Sequence, residues 1–129
     1  MPPVEIGVVL DAHPRSVGRA RTLVHAALGA AFDPDAAVLV TSELVTNAVR
    51  HAHRRIRLTL SVLRDTIRLE VSDDGDGTPT QKGAADLDTG GRGLALVTLL
   101  SRRWGVRPLA IGKTVWCDLP TVPLGCPVG

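Results

Sequence analysis

The sequence predicts an α+β fold: a two-layer α/β sandwich with a mixed, mostly antiparallel sheet and its helices on one face. Three observations predict it. Apolar residues recur at helical spacing in three segments. Elsewhere the period falls to two, in paired runs joined by short polar turns, which marks hairpins with one buried face. The order strand, helix, helix, strand, strand, helix, strand, strand is not the strict alternation of a doubly wound sheet. The 129 residues make one domain, expected over 1–119, with 120–129 as a flexible tail. Hydrophobic residues make up 44% of the chain, but there is no Tyr, one Phe and two Trp, so the core must be Val, Leu, Ile and Ala.

Residues 4–10 form a short apolar run, the opening strand. Pro14 starts a helix with Val17, Ala20, Leu23, Val24, Ala27 and Leu28 at helical spacing, expected to end at Phe32. Asp33-Pro34 starts the next, an N-cap carboxylate followed by Pro at the first helical position, and that helix should run to about Ala52. Ile56, Leu58, Leu60 and Val62 alternate with polar residues, Arg64-Asp65 makes a turn, and Ile67, Leu69 and Val71 alternate again. Residues 74–90 are polar and rich in Gly, Asp and Thr, a loop. Residues 91–104 return to helical spacing, and residues 106–111 and 114–119 form a second hairpin around Gly112-Lys113.

The formal net charge of +2 is too small to imply a nucleic-acid or membrane partner, and stacking aromatics for single strands are absent. No segment is long and apolar enough for a membrane span, and residues 1–5 lack the features of a signal peptide, so the expected location is cytoplasmic. Cys117 and Cys126 are expected as free thiols.

Three segments carry chemistry. On the second helix, Glu43, Asn47 and Arg50 share an arc opposite the apolar one, with His51 beside them. This arc reads as an ordinary solvated face, or as a carboxylate base and an amide oxygen suited to Mg²⁺. Asp73 keeps the buried parity of Ile67, Leu69 and Val71, so it should start inward, where a carboxylate must be paired or hydrogen-bonded. It either caps amides of the Asp74-Gly75-Asp76-Gly77 turn or accepts from a ligand amine such as adenine's. Gly90-Gly91-Arg92-Gly93 opens a helix, where amides and the helix terminus suit an anion. It is not a Walker motif, the acidic turn lacks the ligand spacing of an EF-hand, and neither a metal finger nor a nucleophile elbow is present.

Residues 43–51 (ELVTNAVRH), 73–77 (DDGDG), 91–94 (GRGL) and 112–116 (GKTVW) together resemble the GHKL ATPase superfamily, which includes gyrase, a heat-shock chaperone, sensor histidine kinases and the mismatch-repair ATPase. The resemblance spans about residues 14–119, and the short form is most similar to the anti-sigma-factor serine kinases. It implies a Bergerat fold binding ATP with Mg²⁺. It implies Asn47 as the Mg²⁺ ligand, Glu43 as general base and Asp73 as acceptor for the adenine amine. Thr114 would support Asp73 from the neighbouring strand. Gly75 and Gly77 would let the backbone pass close to the nucleotide, and Gly91, Arg92, Gly93 and Leu94 would form the phosphate loop. Arg50 and His51 would lie near the site, and residues 78–90 would form the lid. In contrast to sensor kinases, no helical hairpin carries a phosphoacceptor His: His13 and His25 stand in or beside a single helix.

The resemblance implies a protein-serine kinase that phosphorylates a STAS-like anti-sigma antagonist and sequesters a sigma factor. The rival expectation is a non-catalytic module that holds ATP or ADP and changes partner. On the last strand Val115, Cys117 and Leu119 alternate with Thr114, Trp116 and Asp118; one face should meet the helices, and the other is expected as either a homodimer or a partner surface.

Overall fold

The computed structural model describes residues 4–29, 31–75 and 92–122. Its elements are β1 (Val4–Asp11), α1 (Arg15–Leu28), α2 (Asp35–His51), β2 (Arg55–Leu63), β3 (Thr66–Asp73), α3 (Arg92–Leu100), β4 (Arg103–Pro108) and β5 (Lys113–Pro120). The strands form one sheet in the order β1-β2-β3-β5-β4. Every ladder among the described residues is antiparallel, so the sheet expected as mixed has no parallel pair there.

Period-two alternation builds the inner face. Ile56, Leu58, Leu60 and Val62 are buried; Leu58, Leu60 and Val62 lie opposite Val71, Leu69 and Ile67, and these opposite Val115, Cys117 and Leu119, while Ile56 lies opposite Asp73. Ala20, Val24 and Leu28 of α1 and Ala37, Val40, Leu44, Val45 and Ala48 of α2 close this face into one cluster. Burying each large aliphatic side chain contributes about 1.5–3 kcal/mol. No aromatic residue is fully buried among these, so β-branched and Leu packing sets the core.

Asp33 does start α2: its Oδ1 accepts the Asp35 backbone N–H at 3.0 Å, while the Pro34 carbonyl accepts from the Val38 N–H. Two helices are shorter than the apolar pattern predicts. α1 stops at Leu28, not Phe32, because Gly29 takes a positive φ of 58° and its N–H closes on the His25 carbonyl. α3 stops at Leu100, and Trp104, expected in that helix, lies in β4. There the Arg102 N–H donates to the Asp118 carbonyl and draws the chain into the sheet. β4 accordingly starts earlier and ends earlier than expected, and the second hairpin turns through residues 109–112, with Lys113 already in β5. Pro120, expected to open the tail, closes β5, and the Thr121 N–H donates to the Asp65 carbonyl. Residues 123–129, including Cys126, lie outside the described residues.

The outer face of the sheet is polar. Asp118, 3% exposed, accepts from Arg68 Nε at 2.7 Å and Nη2 at 2.9 Å and from Arg103 Nε at 2.7 Å. The Arg68 guanidinium also lies 4.8 Å from the centroid of the Trp116 ring. The face of β5 turned away from the helices thus carries one large ring within a ladder of ion pairs. Cys117 points the other way, is fully buried, and its thiol is pushed up to about 12 by burial, which leaves it unreactive.

Candidate functional site

Residues four apart stack along a helix, so Glu43, Asn47 and His51 form one stripe of α2. The opposite arc, with Leu44 and Ala48, is sunk in the core. The core thereby fixes how the stripe is presented: Glu43, Asn47 and His51 are half-buried and Arg50 is exposed. Among the described residues, no hydrogen bond or ion pair occupies the Glu43 carboxylate or the Asn47 amide.

The C-terminal end of that stripe meets the end of β3. A Cβ on Gly75 would lie 2.3 Å from the His51 carbonyl oxygen, so only glycine permits this approach of the turn to α2. Asp74 reinforces the junction. Its Oδ1 accepts the backbone N–H groups of His53 and Arg54 at 2.8 and 3.1 Å, and its Oδ2 accepts that of Arg55 at 3.2 Å. Burial raises the Asp74 pKa and these donors lower it, with the donors prevailing. Sequence reading placed Asp74 in the loop without a role.

Asp73 is inward, as its parity requires, and 6% exposed. Its Oδ1 accepts the Gly75 N–H at 2.9 Å, which is the turn-capping reading. Its Oδ2 accepts from Lys113 Nζ at 2.9 Å, a pair with side chains 3% and 10% exposed. Lys113 is the site residue that sequence reading missed. The signal was the same parity: Val115, Cys117 and Leu119 face inward, and two residues earlier Lys113 must as well. Parity also relocates Thr114. Expected to support Asp73, it lies on the outer face, where its hydroxyl shares a 2.7 Å hydrogen bond with Ser72.

α3 completes the arrangement. Arg103, just after it, pairs with Asp118, at the far end of β5 from Lys113. The nine-residue helix, roughly 13 Å long, packs on α2, the helix that carries the polar stripe. Arg92 and Gly93 are its first residues, and the Leu94 that follows them is buried. Gly77, Gly91, Lys82 and the expected lid at residues 78–90 lie outside the described residues.

One end of the sandwich therefore brings a buried carboxylate to the foot of a polar helical stripe. The arrangement can accept an amine at Asp73, and the partial positive charge of the helix terminus favours an anion near α3. Asn47 offers one hard oxygen. No group of three or more His, Cys, Asp or Glu among the described residues could hold a metal, so a cation at Asn47 would complete its shell from phosphate and water. The clefts between α1 and α2, one of about 540 Å³ lined by Arg21, His25 and Val38, contain none of these residues.

The family described as histidine kinase-like ATPase domain matches residues 10–117. Among solved structures, the chain is similar to the histidine kinase domain of the blue-light activated histidine kinase from Erythrobacter litoralis EL346. The identity is 23%, with a TM-score of 0.56 over 87% of this chain and 62% of that one. A further structure of the same kinase gives 25% identity and a TM-score of 0.57 over 84% of this chain and 41% of that one. The Acinetobacter baumannii histidine kinase AdeS gives 17% identity and a TM-score of 0.56 over 90% and 68%. The chain thus spans about two fifths to two thirds of these structures. Comparison with curated proteins returns no match. With 108 consecutive residues matched, strand order and helix placement to support it, the chain belongs to the histidine kinase-like ATPase domain family, of the GHKL type.

Proposed function

We propose that the chain binds Mg²⁺ and ATP where α2, the Asp73–Gly75 turn and the start of α3 converge, and acts as a protein-serine kinase of the anti-sigma-factor type. Its acceptor is a serine on a small STAS-like antagonist, and it also sequesters a sigma factor. Family membership implies ATP binding and a kinase-like regulatory role. The observation that carries the site is the buried Asp73 carboxylate, set against the foot of the Glu43/Asn47 stripe by the contact of Gly75 with His51.

On this reading Asp73 accepts the adenine amine with a lone pair left free by Gly75 and Lys113. Gly75 and Gly77 keep the turn close to the nucleotide. Asn47 holds Mg²⁺, which offsets phosphate charge when bound. Gly91, Arg92 and Gly93 present backbone amides to the phosphates, with Arg50 and His51 nearby. Glu43 takes the proton from the attacking serine hydroxyl, and positioning does the rest. Thr114 braces β3 through Ser72 and does not contact Asp73.

The experiment is incubation with γ-labelled ATP and candidate antagonist proteins. Wild type should label a serine, and Glu43→Ala should lose about 10²-fold or more of the rate while still binding ATP. Absence of labelling with Glu43→Ala indistinguishable from wild type would remove the kinase claim. Tight binding without transfer supports the other reading, a nucleotide-sensing module.

A further inference from the structure

Lys113 is the second nearly buried ionisable group of this site, and none of the roles above uses it. Its ammonium carries three donors, and among the described residues one is engaged, by Asp73 Oδ2 at 2.9 Å. With 10% of the side chain exposed, the remaining donors have little water to satisfy them. The pair is held by two strands: Asp73 and Lys113 are directly opposite in the β3–β5 ladder. Gly112 fixes the junction, because its φ is +83° and a Cβ there would lie 1.9 Å from the Asp73 carbonyl oxygen. The floor of the site therefore presents an acceptor and a donor side by side.

A carboxylate can accept from an exocyclic amine but cannot donate to the ring nitrogen next to it. In adenine that neighbour, N1, is an acceptor. We infer that Lys113 is a specificity-determining residue: its ammonium donates to N1 of the base whose amine Asp73 holds, so the pair reads a donor–acceptor edge and not the amine alone. The inference rests on the reading of Asp73 as the acceptor for the base.

The test compares ADP with 1-deaza-ADP, in which N1 is replaced by C–H, by calorimetry on the full chain with Mg²⁺. Wild type should bind 1-deaza-ADP about tenfold or more weakly, the loss expected for one charge-assisted hydrogen bond. Lys113→Met should bind the two ligands equally. Because that variant leaves a buried carboxylate without its cation, Lys113→Gln, which keeps a neutral donor, is the second variant and should retain part of the preference. The wild-type comparison needs no substitution. Equal affinity for the two ligands, with ADP binding still weakened by Asp73→Asn, overturns the role of Lys113 and leaves the Asp73 reading standing. No binding of ADP by wild type overturns both.

Discussion

Asp118 and Asp73 sit on opposite faces of the β3–β5 ladder, and each nearly buried carboxylate is matched by cations. The Arg68 guanidinium, hydrogen-bonded to Asp118, holds its carboxyl below the usual carboxylate range against the opposing effect of burial, and Arg103 adds to this. A carboxylate depressed in the folded state stabilises it above the unfolded pKa of about 4. That contribution is lost as pH falls through the lower folded value. Asp118→Asn should therefore lower stability at pH 7, and the difference should shrink as pH falls through the lowered folded value and the wild-type carboxyl takes up its proton. Arg68 and Arg103 are 37% and 69% exposed, so water screens both, and the expected cost at pH 7 is about 1 kcal/mol. Urea midpoints measured from pH 7 down to pH 2 check it; a gap that persists unchanged in acid would contradict the ion-pair account. At this scale, Asp73 was legible because parity alone places it inward. Lys113 obeyed the same parity but a Gly-Lys step also reads as a turn, and only the register shows that the turn ends at Gly112. Thr114 was misjudged because adjacency in sequence puts neighbours in a strand on opposite faces.

At the scale of elements, the sandwich was legible because both periods are clean, while helix ends were not. A Leu/Val run such as residues 94–100 supports helix or strand, and what ended α3 was a backbone hydrogen bond to β5, a partner distant in sequence. Likewise nothing near Gly75 announces that it must touch α2. That contact makes a prediction separable from general stability. Gly75→Ala forces the turn away from the His51 carbonyl, shifts Asp73 relative to the Asn47 stripe, and should reduce ADP affinity by about tenfold or more, since a displacement of 1 Å at such a site is costly. Asp33→Ala is the control. It removes the carboxylate that starts α2, and should lower stability by about 1 kcal/mol with ADP affinity unchanged. Calorimetry and urea denaturation on both variants decide it. Equal loss of affinity in the two would mean that the site responds to α2 stability in general and not to the Gly75 contact.

At the scale of the whole molecule, the proposed site draws Asn47 from α2, Asp73 from β3, Lys113 from β5 and the phosphate-facing amides from α3, so its parts are spread over most of the sequence. Central strands and the longest helix contribute, and these also hold the shared core. Ligand binding should therefore stabilise the global fold and not one loop. A ligand that binds only the folded state at 100 times its Kd contributes about 2.7 kcal/mol. For a domain of this size each kcal/mol raises Tm by a few degrees, so saturating Mg²⁺ and ADP should raise Tm on the order of 10 °C. Asp73→Asn should lose most of that shift because the floor of the site no longer accepts the base amine. Glu43→Ala should keep it, because a general base acts on the attacking hydroxyl and contributes little to holding the nucleotide. Thermal unfolding of the three proteins, followed by circular dichroism with and without ligand, separates these roles. Loss of the shift in Glu43→Ala with its retention in Asp73→Asn would invert the assignment, placing the nucleotide's main anchor on the helical stripe and leaving Asp73 as the structural cap of its turn.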